Sequence, residues 1–283
     1  MTLATLLSPH AHGIFPGVKA EDYHAGPGVS FGHLAPIGIS PAHFIAALDA
    51  PRPEQEPEHF VVGRLAHEMI LEGHCSLPAN VALRPDGLSF RTKVGKDWRD
   101  AQTASGKSII EAEQWQALPG MAAAIQQHSV ASMVFRQGQP EVSIYTPCEN
   151  MGVNLTLRIR LDWMADDHDG LADLKTIGEE ATDYNLAKAI KRSNLLARQA
   201  WYFDIANAAR EVFKYSMLIF VEKAPPHGVR CIKLTEAQLA HGREIYRSYL
   251  HALCRCINAN RWPAYERGVE ELDLPNWAMK DEG

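Results

Sequence analysis

The chain has 283 residues, 46% of them hydrophobic and 22% charged, an ordinary balance for a soluble globular protein able to bury a core of good size. Its 28 Lys and Arg stand against 34 Asp and Glu, a net charge of −6, which excludes a protein that simply coats nucleic acid but leaves room for an enzyme with local basic patches. No apolar run is long enough to span a bilayer, so no membrane role is expected.

Met1-Thr2-Leu3-Ala4-Thr5-Leu6-Leu7 lacks a basic n-region and a proper apolar h-region, so the expectation is a cytoplasmic protein without a signal peptide. Residues 1–38 are rich in Gly, Pro and His and read as an irregular arm, with His10, His12, His24 and His33 too loosely spaced for a metal site. From 39 to 262 the chain reads as one domain. At Ile39-Ser40-Pro41 a helix opens, with Ser40 as N-cap and Pro41 in the first turn. Pro51 to Glu58 reads as a loop, and a second helix runs from Phe60 to Leu71, with Val61, Leu65 and Met69 as its apolar stripe and Gly63 and His67 four apart on one face.

Arg84 to Lys107 is a polar, basic loop in this reading, carrying Arg91, Lys93, Lys96 and Arg99 with Phe90 and Trp98 among them. A long helical region follows from Ser108 to Arg136, with a break expected near Pro119-Gly120. Three strands come next: Glu141–Tyr145, Asn154–Ala165 with Leu155, Leu157, Ile159 and Leu161 on one face, and Gly170–Thr176. The turn through Asp166, Asp167, His168 and Asp169 joins the last two as a hairpin; its acids lack the frame and later Glu of a calcium loop. Helices return from Glu180 to Arg210, then strands at Lys214–Glu222 and Gly228–Leu234. A final helix is opened by the capping box Thr235-Glu236-Ala237-Gln238. Residues 263–283 read as an irregular tail. The order implies an α/β fold, a central mixed β-sheet flanked by helices. The five cysteines are an odd, scattered set, read as free thiols, with no spacing for zinc or an iron–sulfur cluster.

The chemistry concentrates in Gly170-Leu171-Ala172-Asp173-Leu174-Lys175-Thr176. Strand alternation points Asp173 and Lys175 to one face and Leu174 to the other, into the core. With Asp162 on the neighbouring strand, an acid pair and a lysine side by side suit metal-assisted phosphodiester hydrolysis, although a surface ion pair would give the same triplet.

Taken together, Gly63-x-x-x-His67, Glu141, Asp162, Asp173-Leu174-Lys175 and Gln199-Ala200-Trp201-Tyr202, with the basic segment Arg91-Thr92-Lys93-x-Gly95-Lys96-x-Trp98, resemble the PD-(D/E)xK nuclease superfamily in its RecB-like branch. Within it the set is most similar to RecE-type (exonuclease VIII-like) phage and prophage exonucleases. The resemblance implies a restriction-endonuclease-like core, His67, Asp162 and Asp173 as metal ligands with the Leu174 carbonyl helping, and Lys175 assisting the attacking water. It implies that Glu141 sits near the metal or holds its water, and that Gln199 and Tyr202, at i, i+3 spacing, line the site. Arg91, Lys93, Lys96, Trp98 and Arg99 would contact DNA, with Lys188, Lys191 and Arg192 as a second basic face. The implied cofactor is Mg²⁺, with Mn²⁺ suited to the His ligand, and two ions per site. The implied activity is 5′ to 3′ degradation of one strand from double-stranded DNA ends, leaving 3′ single strands for recombination, by a homo-oligomeric ring working with a single-strand annealing protein. A Cas4-like or repair nuclease of other polarity, an endonuclease, or a non-catalytic DNA-binding module are the alternatives; the lack of clustered cysteines argues against iron–sulfur members.

Overall fold

A computed structural model describes residues 1–50, 57–166, 169–265 and 268–279. Most of the expected loop from Pro51 to Glu58, and Asp167 and His168 of the hairpin turn, lie outside these residues.

In chain order the elements are α1 (Leu3–Leu6), β1 (Gly13–Phe15), α2 (Ala20–Ala25), α3 (Phe31–Leu34), α4 (Pro41–Asp49), α5 (Glu58–Leu71), β2 (Val81–Arg84), α6 (Lys93–Ala104), β3 (Ser108–Glu111), α7 (Ala112–Gln127), α8 (Ala131–Val134), β4 (Gly138–Asn150), β5 (Val153–Ala165), β6 (Gly170–Ile177), α9 (Asp183–Arg192), α10 (Leu195–Arg210), β7 (Tyr215–Glu222), β8 (Val229–Lys233) and α11 (Glu236–Ala259). Six strands form one sheet in the order β1-β4-β5-β6-β7-β8, and β2 with β3 forms a separate parallel pair. The main sheet is mixed: β6 and β7 run parallel, and its other pairs are antiparallel. A parallel pair needs a long crossover, and α9 and α10 supply it. The expected mixed sheet flanked by helices is therefore the fold. Among the described residues no helix is long and apolar enough to cross a membrane.

The β4–β5 hairpin is the longest feature of the sheet. Its strands pair from Gly138↔Ala165 to Asn150↔Val153, and the two turn residues Met151 and Gly152 both have positive φ (52° and 75°), the conformation that closes a tight two-residue hairpin. Leu155, Leu157, Ile159 and Leu161 are all buried, as their alternation requires. Helix α10 brings Trp201 onto this hairpin, its indole N–H donating to the Arg158 carbonyl at 3.3 Å. A second apolar cluster gathers α5 (Val61, Val62, Leu65, Ala66) and α7 (Leu118, Met121, Ile125) over Ala172, Leu174, Met217 and Ile219.

Three expectations about local structure are corrected. The first 38 residues are not an irregular arm. Leu6, Val29, Phe31 and Leu34 enter the main core, and β1 pairs with β4 in the register Gly13↔Tyr145. Arg158 on β5, fully buried, anchors this segment. Its Nη1 donates to the Tyr23 carbonyl, to Gly26 O at 2.8 Å and to Pro27 O at 3.0 Å, and its guanidinium lies 4.6 Å from the Tyr23 ring centroid. Four well-spaced apolar residues and one distant arginine order a segment whose Gly, Pro and His content hides any periodicity.

The basic segment is not a loop throughout. Lys93–Ala104 is helix α6, capped by Thr92, whose hydroxyl accepts from Gly95 N at 3.1 Å. Only Gly95 of this helix is buried, so there is no apolar stripe to read. The region from Ser108 begins as strand β3, which pairs with β2 at Val81↔Ser108, and α7 then runs through Pro119 without ending there.

The arm's histidines have structural partners. His10 stacks on Tyr145 with centroids 3.9 Å apart. His33 closes a reciprocal cap on α3: Ser30 Oγ accepts from the His33 backbone, and Ser30 N donates to His33 Nδ1. That nitrogen must be unprotonated to accept. Burial, and after it the Arg158 charge, push the His33 pKa down to about 4. The unfolded chain binds this proton near pH 6.5, so between about 6.5 and 4 it holds more protons than the folded chain. His33 therefore contributes stability that is complete above pH 6.5 and lost as the pH falls towards 4, on the order of 3 kcal/mol. Urea unfolding at pH 7 and pH 5 should give a smaller difference for His33→Gln than for the parent chain; equal differences would refute the assignment.

Candidate active site

The site forms where β5 and β6 part. The strands meet at Trp163↔Ala172, and beyond that pair Leu174 N donates to Asp162 Oδ2 (2.9 Å) instead of to a backbone carbonyl. A carboxylate thus fills the fork, and the alternation that brings Asp162 there sets Asp173 across from it. Leu174 is fully buried and Asp173 nearly so. Lys175 reaches back over both acids: its Nζ is ion-paired with Asp173, lies 3.5 Å from Asp162 Oδ2, and donates to Leu174 O at 2.9 Å.

Helix α5 delivers His67 from the other side. Its apolar face packs on the sheet, and His67 then lies with Nε2 at 2.9 Å from Leu174 O and Nδ1 at 3.8 Å from Asp162 Oδ2. Glu141 comes from β4. It falls opposite Asp162, between the register pairs Pro140↔Trp163 and Val142↔Leu161, and adopts φ 56°, a left-handed backbone costly for any residue but glycine. One donor atom each of His67, Glu141 and Asp162 lie within 4.8 Å of one another. Arg160 Nε donates to Glu141 Oε2, and its Nη1 holds the Val18 carbonyl at 2.6 Å.

Electrostatics sharpen this picture. Burial alone would raise Asp162, but Lys175, His67 and Arg198 together hold its carboxyl below the usual range. Burial and the Asp162 charge push Asp173 up, and the same two causes raise Glu141. Lys175 stays protonated, since Asp162 and Asp173 outweigh the burial that would lower it. Asp173 Oδ1 is buried with no hydrogen-bond donor among the described residues. Two carboxylates resisting ionisation beside a third that is ionised, one with a bare buried oxygen, fit a divalent cation, whose charge would relieve all three.

The site residues expected from sequence divide as follows. His67, Glu141, Asp162, Asp173, Leu174 and Lys175 are brought together. Tyr202 is buried on α10, its hydroxyl accepting from Arg198 Nη2 at 3.3 Å. Gln199 is fully buried and accepts from Ser216 Oγ at 2.9 Å, joining α10 to β7, while its Nε2 has no hydrogen-bond partner among the described residues. Arg198 sits four residues before Tyr202, where helical spacing places two side chains on one face, and its charge is among the causes that act to lower the pKa of Asp162 and Asp173.

The expected DNA-binding residues lie elsewhere, on the β2–α6–β3 unit. Arg91, Lys93 and Lys96 are exposed; Trp98 is half-buried and stacks on Phe90, over which Arg84 also lies. Arg99 is tied to Asp100 at 2.7 Å. A cleft of about 360 Å³ opens among Arg84, Gly87, Leu88, Ser89, Phe90 and Arg91. Gly95 holds this unit closed, because a Cβ there would lie 2.1 Å from the Ser89 carbonyl oxygen, a backbone atom with little freedom to retreat. Gly95→Ala should therefore destabilise the chain by about 1–3 kcal/mol in urea unfolding; a change within 0.5 kcal/mol would show that the loop yields. Lys188, Lys191 and Arg192 are exposed on α9 beside Tyr184. A larger groove, about 910 Å³, runs past Glu141 and Arg160 between residues 16–21 and Glu68, Glu72, His74 and Pro78. Of the hairpin acids, Asp169 pairs with Lys214.

Over residues 30–274 the sequence matches the family described as a PDDEXK-like domain of unknown function (DUF3799). The chain belongs to this family. A solved structure described as "Putative exonuclease" from Eubacterium rectale is similar with a TM-score of 0.57, at 11% identity, over 89% of this chain and 92% of that one, a likeness of fold. The structure described as SSO0001 aligns at a TM-score of 0.30 and 13% identity, over 65% and 85% of the two chains, too low to carry an argument. No curated protein matches.

Proposed function

We propose that this PDDEXK-like chain is a divalent-metal-dependent deoxyribonuclease that hydrolyses phosphodiester bonds from the ends of linear duplex DNA. The observation that carries this reading is the convergence of His67, Glu141 and Asp162 with Asp173, the Leu174 carbonyl and Lys175 at one fork. Bound there, Mg²⁺ or Mn²⁺ would supply Lewis-acid charge at the phosphoryl oxygen and a water of lowered pKa. His67, Asp162 and Glu141 would hold it, with Asp173 and the Leu174 carbonyl adjoining. A second ion would have to draw on Asp173 and that carbonyl, both of which Lys175 engages. Lys175, kept protonated, does not take a proton; it orients the attacking water and offsets charge at phosphorus.

The finer reading is of the RecE type: 5′ to 3′ resection of one strand by a closed homo-oligomeric ring in the cytoplasm, with 3′ single strands passed to a strand-annealing protein in a phage or prophage setting. The motif set supports it, and the name of the E. rectale neighbour supports its exonuclease part alone. The exposed cations of α6 and α9 support DNA as the substrate, since they put positive charge outside the acidic centre.

Linear duplexes labelled at the 5′ or the 3′ end, and a closed circle, test it. With Mg²⁺ or Mn²⁺ the linear DNA should be degraded, the 5′ label should be released first, and the circle should survive. A cut circle would make the enzyme an endonuclease, early 3′ release would reverse the polarity, and no degradation with either ion would end the nuclease reading.

A further inference from the structure

We infer that Arg160 is a positioning residue of this site: its guanidinium fixes the Glu141 carboxylate beside His67 and Asp162, so that the three groups can take a divalent ion without first being gathered. The inference rests on the nuclease reading and its metal. One donor atom of each of the three already lies within 4.8 Å of the others. Glu141 needs a hold to stay there. Its backbone is left-handed (φ 56°), a conformation disfavoured for a residue with a Cβ, and its side chain borders a groove of about 910 Å³ into which it could turn. Arg160 supplies the hold: its Nε donates to Glu141 Oε2, and the pair is half-buried. A carboxylate has about four lone-pair sites, so this bond leaves room for an ion.

Arg160 is itself held. It lies across from Ser143 in the β4–β5 register, which makes Glu141 its diagonal neighbour on the same face. Its Nη1 donates to the Val18 carbonyl at 2.6 Å and to Ser143 Oγ at 3.4 Å, and its guanidinium carbon is 5.8 Å from the Tyr23 ring centroid. Two residues back along β5, Arg158 is bonded to the carbonyls of Tyr23, Gly26 and Pro27. The segment that Arg160 grips is therefore fastened to β5 at its far end as well. A planar fork with one N–H on Glu141 and another on Val18 points one way only, whereas an ammonium keeps the charge and loses the fork. The other use for the pair would be to fasten residues 16–21 to the sheet, with Glu141 as a mere counter-ion.

The test is calorimetric titration of the metal-free protein with Mn²⁺, comparing the parent, Arg160→Lys, Glu141→Gln and the double variant. Arg160→Lys keeps the positive charge, so what it removes is the fork. If Arg160 positions Glu141, Arg160→Lys should bind Mn²⁺ about 10–100-fold more weakly, and the same change made in Glu141→Gln should move the affinity by less than about twofold. On linear duplex, Arg160→Lys should cleave slowly at low Mn²⁺ and recover to within about threefold of the parent at saturating Mn²⁺. A fastening role predicts a lower melting temperature with the parent's Mn²⁺ affinity. Binding by Arg160→Lys within about twofold of the parent, a loss of equal size in both backgrounds, or slow cleavage that persists at saturation overturns the inference. Glu141→Gln gives a check that does not depend on an arginine variant folding: it should itself lose at least about tenfold in Mn²⁺ affinity, and an unchanged affinity overturns the inference too. If the parent binds no Mn²⁺ this inference falls, and if it also cleaves nothing with Mg²⁺ or Mn²⁺ the nuclease reading falls with it; a parent that binds and cleaves with an indifferent Arg160 removes this inference alone.

Discussion

Lys175→Ala is expected to lower the single-turnover rate of linear duplex cleavage by about 10²–10⁴-fold without weakening Mn²⁺ binding. The reason lies in how Lys175 is held. Its ammonium touches Asp162, Asp173 and the Leu174 carbonyl, three of the groups placed to surround an ion. Removing it deletes a positive charge from the ion's neighbourhood, so affinity for a divalent cation should stay level or rise. What is lost is charge at the phosphorus and a donor for the attacking water, interactions made only when substrate reacts. Calorimetric titration with Mn²⁺ and a rapid-quench assay separate the two. A variant within tenfold of the parent rate would remove Lys175 from the chemistry, and a matching loss of Mn²⁺ affinity would make it a support for the ligands instead.

The parts of this site that could be read from sequence are those that strand periodicity dictates. Asp173 and Lys175 share a face because they are two apart, and Leu174 is buried for the same reason. Asp162 could be placed near them because its strand is the other arm of a short hairpin. Ser40 and Thr235 fixed two helix starts, since a side-chain cap is a local interaction written in a few residues. The failures are non-local. Nothing near Leu6, Val29 or Phe31 announces that they join the main core; what orders them is Arg158, more than a hundred residues away. Helix α6 has no buried stripe, because its one buried residue is a glycine packed on the Ser89 backbone and Trp98 is only half-buried against Phe90. The place of Gln199 is likewise set from a distance, by where β7 packs and offers Ser216.

Asp173→Asn should abolish cleavage, by at least about 10³-fold, while raising the melting temperature of the metal-free protein by about 2–4 °C. Asp173 is almost wholly buried, one of its oxygens has no donor, and burial and Asp162 together raise its pKa. Without a metal, an ionised carboxylate there is a cost to the fold that Lys175 offsets only in part, since it also serves Asp162. An amide of the same shape removes the repulsion and leaves Lys175 to Asp162. Linkage gives the pH dependence. A carboxyl raised in the folded state binds more protons there than in the unfolded chain, so its ionisation erodes stability as the pH rises through the unfolded value and then the folded one. The advantage of Asp173→Asn should therefore be largest at neutral pH and shrink towards pH 4. Added Mn²⁺ should reverse the order, stabilising the parent by about 2.7 kcal/mol at a hundredfold excess over its Kd and the variant by much less. Thermal melts at pH 7 and pH 4, each with and without Mn²⁺, give all four values. If Asn lowers the melting temperature without metal, Asp173 contributes to the fold through its pair with Lys175; if Mn²⁺ stabilises both proteins equally, Asp173 is not among the groups that hold the ion.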